Sequence, residues 1–272
     1  MLEKCLENVK EKAPLIHNIT NYVTVNDVAN ALLASGGSPI MSDEPDDVSD
    51  ITSICGGLNI NIGTLNKRSI EAMFISGKKS KELGHIVLLD PVGAGASNLR
   101  TETALRIIDE IKPDIIRGNI SEIKTLAVGS GTTKGVDADA ADVVTDENLD
   151  SMIGFAKEFS KKTGAVIAIT GAIDLVADSK NCYVIRNGSP LMSRITGTGC
   201  MLGALCAAYL SVSRDMDAAV CACSVLGICG QLAQTAPGSG SFMVHLMDGL
   251  STLSAVEFET YISLEEFDLE TI

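Results

Sequence analysis

Short apolar runs alternate along this chain with longer stretches in which apolar residues recur at helical spacing. A continuous apolar run such as HIVLLD is typical of a strand buried on both faces. Repeated strand–helix units predict an α/β fold, with a mostly parallel central sheet flanked by helices on both faces and right-handed connections. The expected strands lie in PLIHNITNYVTVNDVANALLA, which continues as a helix, and in GGSPIM, LNINIG, HIVLLD, PDIIRGN, AVIAIT and NCYVIRNG.

No linker of Pro/Ser/Gly type and no internal repeat interrupts this pattern, so residues 1–272 are expected to form a single domain. The acidic segment at 136–150 is expected to be a solvated loop followed by the start of a helix. The final segment, SLEEFDLETI, carries no motif, and the sequence leaves open whether it is ordered.

Composition limits the classes of function that fit this chain. Hydrophobic residues make up 46% of it, but aromatic residues only 4%, so the core must be aliphatic. The formal net charge of −14 and the lack of clustered Lys and Arg argue against a nucleic-acid-binding surface. An anionic ligand would have to be bound by local backbone dipoles and a few cations, against the overall field of the protein.

The cysteines and the apolar segments indicate a cytoplasmic protein. The eight cysteines form no C-x-x-C pair, and the amino-terminal MLEKCLENVKEK has no apolar core of the secretory kind. Reduced thiols are therefore expected, most of them as small apolar core residues. The uncharged segment at 218–244 is broken by glutamines and by TAPGSGS, which predicts a buried helix rather than a membrane span.

Polar residues follow several of the predicted strands, where ligands bind in open α/β sheets. Asp90 ends one strand, Arg117 another and Thr170 a third, while Glu122 follows Arg117 closely. Carboxylates, one arginine and a Gly-Thr-Gly turn that opens a helix are typical of a site for Mg²⁺ and phosphate. Taken singly, Asp90 could be only a helix cap and Glu122 only part of a solvated helix face.

Other residues give weaker signals. The segment GAGASN lacks the third glycine of a dinucleotide-binding fingerprint. The three histidines, His17, His85 and His245, have no metal-ligand spacing and are expected to be structural. Met41, judged by residue type alone, would be a core residue.

Cys200 directly follows the Thr-Gly-Thr-Gly run and precedes a long apolar segment. A cysteine at the start of a helix can be a covalent nucleophile, because the helix dipole stabilises a thiolate. That role needs a neighbouring imidazole, which no local residue supplies, and the G-x-C-x-G spacing is absent. Phosphoryl transfer needs mainly positioning and charge neutralisation. It therefore also explains Asp90, Glu122 and Arg117, and it is the preferred interpretation.

Several long segments resemble the hydroxyethylthiazole kinase family of thiamine biosynthesis and salvage. The segments that carry the resemblance are HNITNYVTVNDVANALLA, GGSPIM, DPVGAG, RGNISEI, TGTGCMLGALCAAY and GSFMVHLMD. The resemblance implies a ribokinase-like fold without the lid subdomain of sugar kinases. It also implies phosphorylation of 4-methyl-5-(2-hydroxyethyl)thiazole with ATP and Mg²⁺, and a homotrimer with active sites between subunits.

The resemblance also assigns roles to individual residues. Met41 is expected to contact the thiazole, with Asn21 and Gly63 as further residues on the substrate side. Arg117 and Thr170 are expected to bind the ATP phosphates, and Asp90 and Glu122 to organise Mg²⁺ directly or through water. Gly197 is expected to touch the substrate and to contribute to an anion hole. Cys200 stands where ribokinase relatives carry an aspartate that acts as general base.

Three other functions remain open at this stage. A kinase of the same fold could act on a hydroxymethylpyrimidine or on pyridoxal. A non-catalytic nucleotide-binding regulator would bind ATP without turnover, and a cysteine-dependent hydrolase would form an acyl intermediate without Mg²⁺.

Overall fold

One nine-stranded sheet forms the centre of the computed structural model, which describes residues 2–129 and 143–267. The strands are β1 (Leu15–Ile19), β2 (Ser38–Met41), β3 (Gly57–Asn61), β4 (Ile86–Asp90), β5 (Ile115–Gly118), β6 (Val166–Ile169), β7 (Asp174–Ala177), β8 (Cys182–Ile185) and β9 (Leu264–Phe267). Their order in the sheet is β2-β1-β3-β4-β5-β6-β7-β8-β9. The first six strands run parallel, and β7, β8 and β9 continue the sheet in antiparallel pairs.

The described helices cover both faces of the sheet. They are α1 (Leu2–Lys12), α2 (Val25–Ser35), α3 (Val48–Ile54), α4 (Lys67–Leu83), α5 (Asn98–Glu110), α6 (Ile120–Val128), α7 (Leu149–Thr163), α8 (Thr198–Val212), α9 (Met216–Leu232), α10 (Ser239–Thr252) and α11 (Ala255–Tyr261). Short 3-10 turns lie at Asp146–Asn148, Pro190–Arg194 and Ala233–Thr235. The predicted mostly parallel α/β fold is confirmed.

Alternation along the strands divides the apolar core into two layers. Leu88 of β4 packs into a layer with α1, α2 and α8 to α11, whereas Val87 and Leu89 pack into the opposite layer with α3 to α7. Successive side chains of a strand point to opposite faces, so a strand between two helix layers must be apolar throughout. All five residues of β4 are buried, as its continuous apolar run predicts.

Helices α8 and α9 are apolar on nearly all sides because they lie inside the protein. Met201 to Leu210 and Ala218 to Gly230 are buried without interruption. The segment Met216–Thr235 is long and apolar enough to cross a membrane by length and composition, but 78% of its most apolar window is buried inside the protein. The uncharged segment is therefore a core helix, as the sequence predicts.

Two strands escaped sequence analysis. β7 and β9 are short, and β9 (LEEF) carries two acidic residues on an exposed edge. Part of the carboxy-terminal segment is therefore a strand, while residues 268–272 lie outside the described residues. The acidic segment at 136–150 is described only from residue 143, where a 3-10 turn leads into α7.

Candidate functional site

The carboxyl ends of the parallel strands meet at one edge of the sheet, and the predicted site residues gather there. Each of these residues lies at the end of a strand or in the turn or helix that follows it. These are the positions at which ligands bind in open α/β sheets. Asn21 and Gly63 follow β1 and β3, Met41 and Asp90 end β2 and β4, Arg117 lies in β5, Thr170 follows β6, Glu122 lies in the first turn of α6, and Gly197 and Cys200 begin α8.

Asp90, Arg117 and Thr170 form one buried cluster. Arg117 Nη1 lies 3.4 Å from each carboxylate oxygen of Asp90, and Nη2 donates a hydrogen bond to Thr170 Oγ1 at 2.6 Å. Asp90 is fully buried and Arg117 is 9% exposed. A buried charge is costly unless it is paired with an opposite charge, and Asp90 and Arg117 form such a pair. The structure thus brings together three residues that the sequence places at the ends of separate strands.

Burial sets the protonation of this pair. It raises the pKa of Asp90 to about 7, although Arg117 and Asn61 lower it. Burial also disfavours the charge on Arg117, but the neighbouring carboxylates Asp90 and Glu122 outweigh this effect and raise its pKa. Burial therefore works against ionisation of Asp90, whereas Arg117 stays protonated.

Glu122 connects two loops of the site. Its Oε2 accepts a hydrogen bond from the backbone N–H of Asn119 at 2.9 Å, completing a capping box at the start of α6. Its Oε1 accepts one from the N–H of Gly93 at 2.8 Å, in the turn that follows Asp90. Glu122 is thus fixed against two backbone donors and is not part of a solvated helix face.

The turn after β4 is shaped around Arg100. Gly93 has φ +75°, and a Cβ atom there would lie 2.2 Å from Arg100 Nη1. Only glycine combines this backbone conformation with so close an approach. Arg100 Nη2 donates to the carbonyl of Gly63 at 2.8 Å, so this side chain joins the loop after β3 to the loop after β4.

The start of α8 presents free backbone N–H groups to the site. Gly197 is the N-cap with φ +94°, and no side chain caps the helix. The first intrahelical bond is donated by Met201 to the Gly197 carbonyl at 2.8 Å. The N–H groups of Thr198, Gly199 and Cys200 therefore have no partner within the helix, and an uncapped helix start of this kind is suited to binding an anion.

Gly199 brings this helix start against Arg117. A Cβ atom at Gly199 would lie 2.7 Å from Nη2 and 2.8 Å from Nη1 of Arg117. The second glycine of the Thr-Gly-Thr-Gly run thus allows the guanidinium to lie beside the amides of α8. An anion at this point would meet both kinds of donor.

Cys200 lies between two asparagine side chains. Asn21 Nδ2 and Asn61 Nδ2 each lie 3.2 Å from its Sγ. Cys200 is half-buried, whereas the other seven cysteines are buried. Core positions for most cysteines are confirmed, and Cys200 is the exception that faces the site.

Two cavities adjoin these residues. The larger, of about 800 Å³, is lined by Arg117, Thr170, Thr198 and Gly199 together with apolar residues such as Leu226. The smaller, of about 180 Å³, is lined by Met41, Asn18 and Tyr22. Arg117 and Thr170 thus lie together in one cavity, and Met41 lies apart from them in the other.

Sequence analysis missed Asn61, Gly199 and Arg100. Asn61 is one of two asparagines in LNINIG, and alternation with apolar residues is typical of a strand with one solvated face. In the structure both are 1% exposed and the strand is buried on both sides. The signal that could have identified Asn61 is that it is a polar residue at the last position of a strand, as Asp90 is in the next strand along the chain.

Comparisons with known proteins agree on one family. The profile described as the hydroxyethylthiazole kinase family matches residues 6–256. A hydroxyethylthiazole kinase of Clostridium acetobutylicum is 56% identical, over 96% of this chain and 100% of the relative. The solved structure of a hydroxyethylthiazole kinase protein from Pyrococcus horikoshii OT3 is 32% identical, with a TM-score of 0.89 over 98% of this chain and 99% of that chain.

A more distant structure supports the fold alone. A ribokinase-like superfamily protein of Enterococcus faecalis V583 is 11% identical, with a TM-score of 0.65 over 93% of this chain and 95% of that chain. Fold similarity at this identity carries no information on function.

Proposed function

The chain belongs to the hydroxyethylthiazole kinase family, and on this premise we propose that it transfers the γ-phosphoryl group of ATP to the hydroxyl of 4-methyl-5-(2-hydroxyethyl)thiazole. The observation that carries the proposal is the juxtaposition of Arg117 with the uncapped start of α8, at Gly199. The product would serve thiamine biosynthesis or salvage. We further propose that residues 1–272 act as one kinase domain in the cytoplasm.

ATP fits the larger cavity. Its volume of about 800 Å³ lies within the range of about 300–1,000 Å³ typical of ligand sites. Arg117 and Thr170 are placed to bind phosphate oxygens at the end of the cavity where α8 begins. There the N–H groups of α8 would stabilise the negative charge of the phosphoryl group during transfer.

The carboxylates fit a Mg²⁺ ion that keeps most of its water. Glu122 already accepts two backbone hydrogen bonds, and Asp90 accepts from Asn61 and Arg117. The described residues contain no group of three or more His, Cys, Asp or Glu side chains arranged to hold a metal. We therefore assign Asp90 and Glu122 to water-mediated contacts, since Mg²⁺ is usually held through substrate phosphates and one or two carboxylates.

Cys200 is the proposed proton acceptor. The hydroxyl proton passes to the thiolate of Cys200 as the oxygen bonds to the γ-phosphorus, and the bond from that phosphorus to the bridging oxygen breaks with its electron pair leaving on ADP. Gly197 and Asn21 flank this position, because a Cβ at Gly197 would lie 3.1 Å from Thr24 and Asn21 Oδ1 accepts from Thr24. Met41, which lines the smaller cavity, and Gly63, which lies against Asn21, are assigned to the thiazole side.

We propose that the active form is a homotrimer in which a neighbouring subunit closes the smaller cavity. Tyr22 lines that cavity and is 79% exposed, and the adjacent Val23 is 59% exposed. Exposed apolar residues at the mouth of a site are typical of a contact surface. Light scattering should give the mass of three chains, and Tyr22→Glu should lower it.

The decisive experiment couples ADP release to a spectroscopic signal, with hydroxyethylthiazole, hydroxymethylpyrimidine and pyridoxal as separate acceptors. Turnover is expected with hydroxyethylthiazole and only in the presence of Mg²⁺. Faster turnover with either other alcohol would assign a different vitamin-precursor kinase. ATP binding without turnover on any alcohol would indicate a regulator.

A further inference from the structure

Cys200 Sγ accepts two hydrogen bonds from side-chain amides. Asn21 Nδ2 and Asn61 Nδ2 both lie 3.2 Å from the sulfur, and the two asparagines are 5% and 1% exposed. Sulfur is a weak acceptor, so two donors directed at one thiol are unusual for a cysteine in an apolar core.

Backbone groups fix the orientation of both amides. The N–H of Gly63 donates to Asn61 Oδ1 at 2.9 Å, and the N–H of Thr24 donates to Asn21 Oδ1 at 3.1 Å. A backbone N–H can only donate, so an oxygen must occupy each of these positions. Both NH₂ groups are therefore obliged to face the sulfur, which acts as acceptor in both contacts.

Asn61 also reaches the phosphate side of the site. Its Nδ2 donates to Asp90 Oδ2 at 2.8 Å, and its Oδ1 accepts from Asn21 Nδ2 at 3.1 Å as well as from Gly63. With two hydrogen bonds accepted and two donated, the amide has no capacity left for a substrate. Asn61 therefore acts through its neighbours.

We propose that Asn61 is a positioning residue that keeps a Cys200 lone pair directed at the acceptor hydroxyl and couples the thiol to Asp90. This inference rests on the proposed function of Cys200 as proton acceptor. It makes the acceptor side and the phosphate side one hydrogen-bonded unit, joined through a single buried amide.

The test variant is Asn61→Asp, which keeps the shape and the acceptor for Gly63 but removes both N–H donors. We expect kcat to fall roughly 100-fold, in line with the loss of a positioned proton acceptor, while KM for ATP stays within about threefold. Iodoacetamide modification of Cys200 at neutral pH should slow about tenfold, because the sulfur loses a donor. As the half-buried cysteine, Cys200 is the thiol that this reagent reports.

Asn8→Asp is the matched control, because Asn8 lies in α1 and donates to Ser213, which caps the opposite end of α8 from Cys200. It should leave both readouts unchanged. A double variant adds a sharper test: in a Cys200→Ser background, Asn61→Asp should lose most of its effect on kcat. A purely structural role predicts that the two effects multiply.

The outcomes separate this inference from the proposed function. If the unmodified protein does not phosphorylate hydroxyethylthiazole, the proposed function fails, yet the modification rate still tests the contact between Asn61 and Cys200. Should Asn61→Asp not fold, Asn61→Ser removes the same donors without adding charge. Unchanged kcat or an unchanged modification rate in a folded variant would overturn the proposal.

Discussion

The two cavities at the strand ends differ in how much of their wall this chain supplies. The larger cavity lies at the ends of β5 to β7, which are interior strands of the sheet. Its lining includes Arg117 and residues at the start of α8 and in α9. The smaller lies beside β2, the edge strand, next to the exposed Tyr22. Its volume of about 180 Å³ is below the range of about 300–1,000 Å³ typical of ligand sites. In the proposed function the larger cavity is the nucleotide side and the smaller one is the acceptor side, and on that proposal the acceptor side is the one that lies open at a sheet edge.

Arg117→Ala should have the largest effect, and it should fall on the nucleotide side. We expect kcat/KM for ATP to drop about 10³-fold, because one phosphate donor is lost. The free energy of unfolding should fall by about 3–5 kcal/mol, since Asp90 would stay buried without its partner. Steady-state kinetics and denaturant titration measure the two effects.

The effect of Arg117→Ala on the two KM values tests whether the two cavities bind different substrates. KM for the thiazole should change much less than KM for ATP, and equal changes in both would contradict the phosphate role. Lys161→Ala is a suitable control, because Lys161 forms an exposed pair with Glu158 that is expected to contribute less than about 1 kcal/mol.

Cys200 lies at the boundary between the two sides, so its variants should change kcat rather than either KM. Cys200→Ser is expected to lower kcat roughly 100-fold, because a serine hydroxyl does not ionise near neutral pH and cannot supply the anion that a thiolate offers to the proton. Cys200→Asp should retain or raise kcat, since a carboxylate can accept the same two N–H donors. A folded but inactive Cys200→Asp protein would show that Cys200 is not the acceptor.

Gly199→Ala should disturb the nucleotide side with a smaller loss of stability than Arg117→Ala. The new methyl group would press on the tip of Arg117, at 2.7 Å, rather than on the backbone. Because that tip is buried and can move only by weakening its contacts with Asp90 and Thr170, we expect the free energy of unfolding to fall by about 1–3 kcal/mol. KM for ATP should rise roughly tenfold, as the misplaced guanidinium no longer meets the phosphates.

Gly154→Ala is the matched control for this prediction. Gly154 lies within α7 with no atom within 4 Å of an added Cβ, so alanine there should stabilise the protein by about 0.5–1 kcal/mol. KM for ATP should not change. A similar KM increase in both variants would show that the effect of Gly199→Ala does not arise from displacement of Arg117.

The sequence predicted which residues lie at the strand ends better than it predicted the contacts between distant side chains, for a physical reason. Asp90, Arg117 and Thr170 each follow an apolar run, and parallel strands bring such positions together whatever the side chains are. Asn61, at the end of β3, and Arg100, in α5, act through contacts with residues distant in sequence, as between Arg100 and the Gly63 carbonyl. Strand periodicity carries no information about such contacts. β9 was missed because its two glutamates give it no apolar signal.

The smallest expected effect concerns the acceptor side and depends on pH. His17 Nε2 donates to the carbonyl of Ser42 at 2.9 Å, and Nδ1 lies 3.0 Å from Thr52 Oγ1. Burial lowers the pKa of His17, although the Ser42 carbonyl raises it. The neutral ring therefore holds the loop that follows Met41, at the wall of the smaller cavity.

A lowered pKa in the folded state has a definite consequence for stability. Below the unfolded value of about 6.5 the unfolded chain binds the proton first, so the stability contributed by neutral His17 is present above that pH and is lost as the pH falls. The slope cannot exceed about 1.4 kcal/mol per pH unit for one group. Denaturant unfolding between pH 5 and 8 (roughly the range in which histidine titrates) should therefore show the difference between the unmodified protein and His17→Gln shrinking towards low pH. His245→Gln, at an exposed position of α10, is the control variant, and a pH-independent difference for His17→Gln would mean that folding leaves the pKa of its ring unchanged.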